Sequence, residues 1–241
     1  IFARCGVPAV TVESDTGMLG GREAPEFMYL SPWGEDTLLH CAACGYAANR
    51  EVAAFQRPET EPEEPLPLQK VATPGAKTIL DLAAFLDITA SRTAKAVFLM
   101  ATPAHKEPGQ PVREEFIFAV VRGDMELNEV KLANKIGASA LRPATEEEIK
   151  VLGAAPGYAS PVGLDLKQGE SAAMPVRVVV DDLIPLCNNL VAGANEEGYH
   201  LLNVNYGRDF TADIVADIVS AEEGYGCPHC GSGMQDSRGV E

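Results

Sequence analysis

Phe116-Ile117-Phe118-Ala119-Val120-Val121 is an unbroken apolar run of aromatic and β-branched residues. It is far too short to span a membrane and shows no polar alternation, so it predicts a strand covered on both faces. Ala96-Val97-Phe98-Leu99-Met100 upstream and Val176-Arg177-Val178-Val179-Val180 downstream read the same way, and His200-Leu201-Leu202-Asn203-Val204-Asn205 supplies a further strand. Between these runs the period changes. From Lys77 to Ile88 the apolar residues Ile79, Leu80, Leu82, Ala83, Phe85 and Leu86 recur at helical spacing, and a second helix is predicted over Leu127 to Ile136. Thr145, with Glu148 in the third position after it, forms a capping-box signature that opens a short helix before Gly153. Strands alternating with helices in this order predict an α/β domain with a mixed, largely buried sheet.

Outside that domain the composition shifts. Arg57-Pro58-Glu59-Thr60-Glu61-Pro62-Glu63-Glu64-Pro65-Leu66-Pro67 alternates proline with glutamate, which can neither pair in a sheet nor continue a helix, so it predicts a linker that proteases reach first. Three segments follow: 1–67, 68–206 and 207–241. Cys41-Ala42-Ala43-Cys44-Gly45 and Cys227-Pro228-His229-Cys230-Gly231 are two Cys-x-x-Cys-Gly knuckles. Each spacing lets two thiolates face one ion, and two pairs supply the four-sulfur shell of structural zinc. Four protein ligands leave no open position for catalysis, and a disulfide pair is the competing reading. An ion shared by the two knuckles would clip the chain where the α/β domain leaves and re-enters its host, making 68–206 an insertion. Cys5 and Cys187 are expected to be ordinary buried thiols.

The chain has 241 residues, 46% of them hydrophobic, and a formal net charge of -16. That is enough apolar material for a folded core and excludes a disordered chain. No apolar run reaches membrane-spanning length, and the first residues lack the pattern of a secretory signal, so no membrane partner and a cytoplasmic location are expected. The strong negative charge argues against a broad basic nucleic-acid surface and for weak tRNA binding by this chain alone. The absence of an initiator Met and the abrupt end at Arg238-Gly239-Val240-Glu241 suggest a piece of something longer.

Several of these stretches, in this order, resemble a known family. Ile1-Phe2-Ala3-Arg4-Cys5-Gly6, Asp15-Thr16-Gly17-Met18-Leu19-Gly20-Gly21, Glu26-Phe27 and Gly45-Tyr46-Ala47-Ala48-Asn49-Arg50-Glu51 resemble the catalytic domain of bacterial-type prolyl-tRNA synthetases just after its second class-defining motif. Arg238 to Glu241 resembles the start of the stretch leading to the third. Thr93-Ala94-Lys95, Arg122-Gly123-Asp124-Met125-Glu126-Leu127-Asn128-Glu129-Val130-Lys131, and Ala192-Gly193-Ala194-Asn195 followed by His200 are similar to that family's inserted editing domain, shared with free-standing deacylases. The resemblance implies a mixed-sheet, YbaK-like α/β editing domain inserted into a partial class II synthetase catalytic domain, with the four-Cys zinc knuckle pair at the junction. It implies hydrolysis of alanine wrongly attached to proline tRNA, within a parent that ligates proline to that tRNA with ATP and Mg and forms a homodimer. The ATP-binding arginines belong to motifs this chain lacks, so it should not itself make aminoacyl-adenylate. The run Gly17 to Gly21 would line the adenylate and proline site of the parent. Pro25 departs from the family, which usually has His before Glu-Phe.

A proline pocket cannot exclude the smaller alanine by bulk, which is the physical reason for a second, tighter site. The resemblance carries onto this chain Lys95 for recognising the aminoacyl end, Asp181 for the substrate's amino group, and His200 for positioning water or the adenosine. It also carries the Gly-x-x-x-Pro loop Gly157-Tyr158-Ala159-Ser160-Pro161 and a second wall of Gly193, Ala194 and Asn195. From spacing alone, Lys95 would be a solvated lysine, Asp181 a helix cap for Leu183 onward, His200 a structural histidine, and Arg122-Gly123-Asp124 a structural turn. No Ser-His-Asp order or metal triad occurs in the domain, so attack by an oriented water is the expected mechanism. The three catalytic candidates are expected to meet around one small cavity. A zinc-stapled tRNA-binding or scaffold module with a decayed deacylase site is the alternative.

Overall fold

The computed structural model describes residues 1–15, 17, 24–104, 113–164, 166 and 175–241. Thr16 and Met18 to Gly21 of the glycine-rich stretch lie outside them. In chain order the strands and helices are β1 (Ala9–Ser14), β2 (Ala24–Leu30), β3 (Asp36–His40), β4 (Ala47–Asn49), β5 (Gln69–Ala72), α1 (Ile79–Leu86), β6 (Ala94–Pro103) and β7 (Glu115–Arg122). They continue with α2 (Glu129–Ile136), β8 (Ala138–Pro143), α3 (Glu146–Val151), β9 (Val176–Asp181), β10 (Leu190–Gly193), β11 (Tyr199–Val204), β12 (Ile214–Ala216) and β13 (Gln235–Val240). No helix among the described residues is long and apolar enough to cross a membrane.

Two compact units emerge, one of Ile1–Glu59 with Ser220–Glu241 and one of Thr60–Val219. The first is a closed barrel in the order β1-β2-β13-β3-β4, in which β13 pairs antiparallel with both β2 and β3. Val12, Met28, Leu38 and Ala47 form one buried cluster in it, and Leu39, Ala48, Phe55 and Met234 of the same unit are buried as well. None of these short, weakly alternating strands was legible from periodicity, because closure comes from pairing residues nearly two hundred positions apart, such as Leu39 with Asp236.

The second unit is built on the sheet β12-β9-β7-β6-β8. β12, β9 and β7 run parallel, while β6 pairs antiparallel with β7 and β8, so the sheet is mixed as expected. β7 lies at its centre with Phe116 to Arg122 all buried, which is why its sequence shows no polar alternation. A smaller sheet, β10-β11-β5, packs its apolar residues Leu190, Ala192 and Val204 into the same core as Phe116, Phe118 and Val178.

The helices begin where their caps stand. The Thr78 side chain accepts a hydrogen bond from Asp81 N and opens α1, and Asn128 accepts one from Lys131 N and opens α2. Thr145 and Glu148 form the complete capping box of α3. α1 and α2 each start two residues later than their apolar periodicity suggests, since a cap satisfies the otherwise orphaned amides of the first turn.

The proline-glutamate stretch departs from expectation. Residues 60–67 cluster with the second unit, as do 207–219. The Glu63 carboxylate accepts from Arg92 at 2.5 and 2.9 Å and from Asn189 Nδ2 at 3.1 Å. Arg92 and Asn189 thereby hold that carboxyl below its usual range. Asn189 also donates to Glu64 O and accepts from Leu66 N, Asn188 donates to Glu63 O, Arg208 to Leu66 O and Asn203 to Pro67 O. Composition correctly excluded a ladder or helix here, but an extended segment can still be strapped down through its carbonyls and carboxylates by side chains distant in sequence. Glu-specific cleavage after Glu63 should therefore be slow in the unmutated chain. In Asn189→Gly, which tolerates the positive φ of 57° at that position, it should be roughly 10-fold faster, equivalent to about 1.4 kcal/mol of lost local protection. Equal cleavage rates would rule out the strap.

Candidate functional site

The second unit contains a cavity of about 550 Å³, within the range of small-molecule sites. Four elements converge on it. The start of β6 brings Ala94, Lys95, Ala96 and Phe98; the first turn of α1 brings Thr78, Ile79 and Leu80. Gly193 closes β10, and His200 stands opposite it in the register of β11. The turn after β7 adds Gly123 and Asp124, and the loop after α3 adds Gly157 and Ala159.

Of the residues expected to meet, Lys95, His200, Gly157 and Gly193 line this one cavity. Lys95 Nζ pairs with Glu126 Oε1 at 2.8 Å, the lysine side chain being 22% exposed and the glutamate 76%. The carboxylate is thus the solvent-facing partner and easily displaced, which leaves the ammonium available to an incoming anion or carbonyl. His200 is buried; its Nδ1 lies 2.6 Å from Thr73 Oγ1, and its ring centroid is 5.4 Å from that of Tyr158. Burial holds the imidazole pKa below its ordinary value, so it is neutral near pH 7 and one ring nitrogen is free to serve the cavity.

Asp181 does not belong to this group. It is fully buried at the end of β9, where its carboxylate accepts from Leu183 N and Ile218 N, both at 3.1 Å, and it does not line the cavity. The physical reason is local. Where β9 and its parallel neighbour β12 end, two amides lack ladder partners, and a buried carboxylate satisfies both. The short 3-10 turn Ile184–Leu186 that follows has no side-chain cap, so Asp181 ties two strand ends together and is not the helix cap expected from spacing alone. Pro161, Ala194 and Asn195 are likewise not among the lining residues. Asn195 instead binds the back of the glycine-proline loop: its Oδ1 accepts from Ser160 N and its Nδ2 donates to Ser160 O and Val162 O.

Other lining residues were not foreseen. Lys77 and Thr78 stand at the mouth, and the sequence signal for them was available, since Thr78 with Asp81 has the spacing of a helix cap. Asp124 also lines the cavity while held by Arg122 in a two-point ion pair at 2.6 and 2.9 Å. The turn is structural, as expected, yet it presents a carboxylate to the site. Among the described lining residues there is no serine or cysteine, so the chemistry on offer is two ammonium groups (Lys77 and Lys95), the Thr78 hydroxyl, a neutral imidazole, two carboxylates and close-approaching backbone.

The first unit holds a second constellation. The Sγ atoms of Cys41, Cys44, Cys227 and Cys230 all lie within 4.8 Å of one another, with Cys41 to Cys230 and Cys44 to Cys227 each at 3.5 Å. A tetrahedron with ~2.3 Å metal–sulfur bonds has edges of about 3.8 Å, so four sulfurs at these separations are positioned to hold a metal ion. Gly45 and Gly231, with φ of 80° and 76°, turn the chain so that their amides return to Cys41 O and Cys227 O. Of the remaining cysteines, Cys187 is buried as expected, but Cys5 is exposed.

A family model described as the aminoacyl-tRNA editing domain matches residues 73–210. A proline–tRNA ligase from Salinispora tropica is 52% identical over the whole of this chain, which spans 39% of that relative. One from Dehalococcoides mccartyi is 43% identical over the same extent. The chain therefore spans well under half the length of the curated relatives it matches. A solved structure described as a candidate trans-editing enzyme for prolyl tRNA synthetase is similar at 20% identity and a TM-score of 0.47, covering 64% of this chain and 87% of that one.

Proposed function

Since the chain belongs to the aminoacyl-tRNA editing domain family, we propose that its 60–219 unit hydrolyses alanine wrongly esterified to proline tRNA, within a parent that ligates proline to that tRNA. The observation that carries this reading is the convergence of Lys95, His200, Gly157 and Gly193 on one cavity from positions more than a hundred residues apart. Unrelated structural residues have no reason to meet.

Water adds to the ester carbonyl carbon, the bond from that carbon to the ribose oxygen breaks, and the ribose oxygen takes the proton, giving alanine and uncharged tRNA. The Lys95 ammonium, released from Glu126, pairs with a terminal phosphate or stabilises the carbonyl oxygen as it gains charge. Neutral His200, anchored at Nδ1 by Thr73, orients the attacking water or the adenosine through its other nitrogen. The substrate's ammonium takes the rim carboxylates of Asp124 and Glu126, in place of the role first given to Asp181. Glycines at 157 and 193 let backbone stand close to the substrate, and the part of the cavity they wall is where alanine is accepted and proline excluded.

In the same reading the four cysteines bind zinc as a structural ion, the aminoacylated acceptor end of proline tRNA is the partner, and the parent is a cytoplasmic homodimer using ATP and Mg. The test is deacylation of alanyl-tRNA and prolyl-tRNA side by side. Lys95→Ala should slow alanyl-tRNA hydrolysis by ~10² on the scale of one lost electrostatic stabiliser, with the fold intact because the side chain lies at the cavity wall and not in the core. Hydrolysis at the parent rate would reject this assignment.

A further inference from the structure

We propose that Asn195 is a positioning residue that sets which amino acid the cavity accepts, by clamping the Gly157–Pro161 loop from behind without touching the substrate. This rests on the editing function proposed above.

The clamp is unusually complete for one side chain. Asn195 Oδ1 accepts from Ser160 N at 3.1 Å, and Nδ2 donates to Ser160 O and Val162 O, each at 2.9 Å. Its backbone N donates to Tyr158 O at 2.7 Å. Ser160 Oγ closes the circuit by donating to Gly193 O at 2.6 Å. Alternate residues of the clamped loop, Gly157 and Ala159, form the cavity wall, whereas Asn195 does not line it. The loop has no strand or helix to hold it: residues 152–164 contain none. Its position relative to β10 and β11 is set by the burial of Tyr158 and Ala159, by the backbone bond from Asn195 N to Tyr158 O, and by the side-chain bonds of Asn195 and Ser160.

Asn195 is also kept in the left-handed region, with φ of 55°. That conformation turns the chain directly after Gly193 and aims the amide plane across the loop, at the cost of backbone strain for a non-glycine residue. Alanine and proline differ by two ring carbons, so a wall displaced by a fraction of an ångström alters which ester fits. A wall fixed from behind discriminates by shape; a wall free to yield does not.

Asn195→Gly keeps the positive φ and deletes the three side-chain bonds of Asn195, leaving the Ser160 Oγ bond to Gly193 O, and two measurements on the full chain test it. Hydrogen exchange at the Ser160 amide should accelerate, since its acceptor is gone. The ratio of alanyl-tRNA to prolyl-tRNA hydrolysis should fall by roughly 10-fold or more, with the alanyl-tRNA loss in kcat and not in KM, as expected when a bound substrate is less well oriented. If Asn195→Gly does not fold, Asn195→Asp, which loses the Nδ2 donations to Ser160 O and Val162 O but keeps an oxygen for Ser160 N, carries the hydrolysis-ratio test. Faster Ser160 exchange with a ratio within about two-fold of the parent would overturn the proposal, as would unchanged exchange. A parent chain that hydrolyses neither ester sinks the proposed function itself, whereas failure of this inference leaves the parent active and selective.

Discussion

Cys227→Ser is expected to abolish stoichiometric zinc binding and to unfold the unit formed by residues 1–59 and 220–241. Cys227 is fully buried, its sulfur lies 3.5 Å from that of Cys44, and it accepts a weak hydrogen bond from His229 N at 3.4 Å. A serine hydroxyl is neutral and hard where the ion needs a soft thiolate. The stake is large because the ion would join Cys41 and Cys44 to Cys227 and Cys230, the two stretches of chain from which this unit is assembled. Structural zinc contributes about 10–16 kcal/mol of apparent binding free energy in small peptides, comparable with the ~5–15 kcal/mol total stability of a domain. Zinc per chain by elemental analysis, with thermal unfolding before and after chelation, decides it. No zinc in the unmutated chain would defeat the metal reading, and one zinc per chain with an unchanged melting profile in Cys227→Ser would remove Cys227 from the ligand set. The 60–219 unit has its own core and should keep its melting transition throughout.

Gly193→Ala is expected to be the most damaging single change in the editing unit. A Cβ built on Gly193 would overlap the Tyr158 carbonyl and the Ala159 amide, both backbone, so no side chain can rotate out of the way. The loop must retreat or β10 must bend. Overpacking of this kind costs typically ~1–3 kcal/mol and occasionally more, and here it should fall at the top of that range. Because the displaced loop carries Gly157 and Ala159 of the cavity wall, alanyl-tRNA hydrolysis should drop by about 10² even in the fraction that remains folded, the usual result of a misplacement near 1 Å. The decisive comparison is activity per folded molecule, with folding followed by circular dichroism. Full specific activity in a folded Gly193→Ala chain would show that the loop does not bear on the reaction.

The sequence was most informative where a residue's role is local. The Cys-x-x-Cys-Gly spacings put the two sulfurs of each pair on one turn, and all four sulfurs then meet within 4.8 Å. The run Phe116 to Val121 is a buried central strand because an apolar stretch bounded by polar residues has few other ways to be satisfied. Thr145 and Glu148 close a capping box because both partners lie within one helical turn. The editing resemblance, resting on short motifs around Lys95, Arg122 and Gly193, agrees with the editing-domain match over residues 73–210.

What the sequence could not resolve was which polar residue faces which way. Asp181 and Asp124 are both aspartates at the end of a buried strand run, yet the first is sealed against two amides and the second reaches the cavity. Gly193, Ala194 and Asn195 are consecutive, yet one lines the wall and one holds the opposite loop from behind. The stretch from Glu63 to Pro67 reads as free chain and is instead bound by Arg92, Asn188, Asn189, Asn203 and Arg208. Periodicity, caps and ligand spacing depend on neighbours within a few residues, so the chain determines them by itself. The direction of a carboxylate or an amide depends on which distant backbone groups are left without partners, and only the assembled sheets decide that.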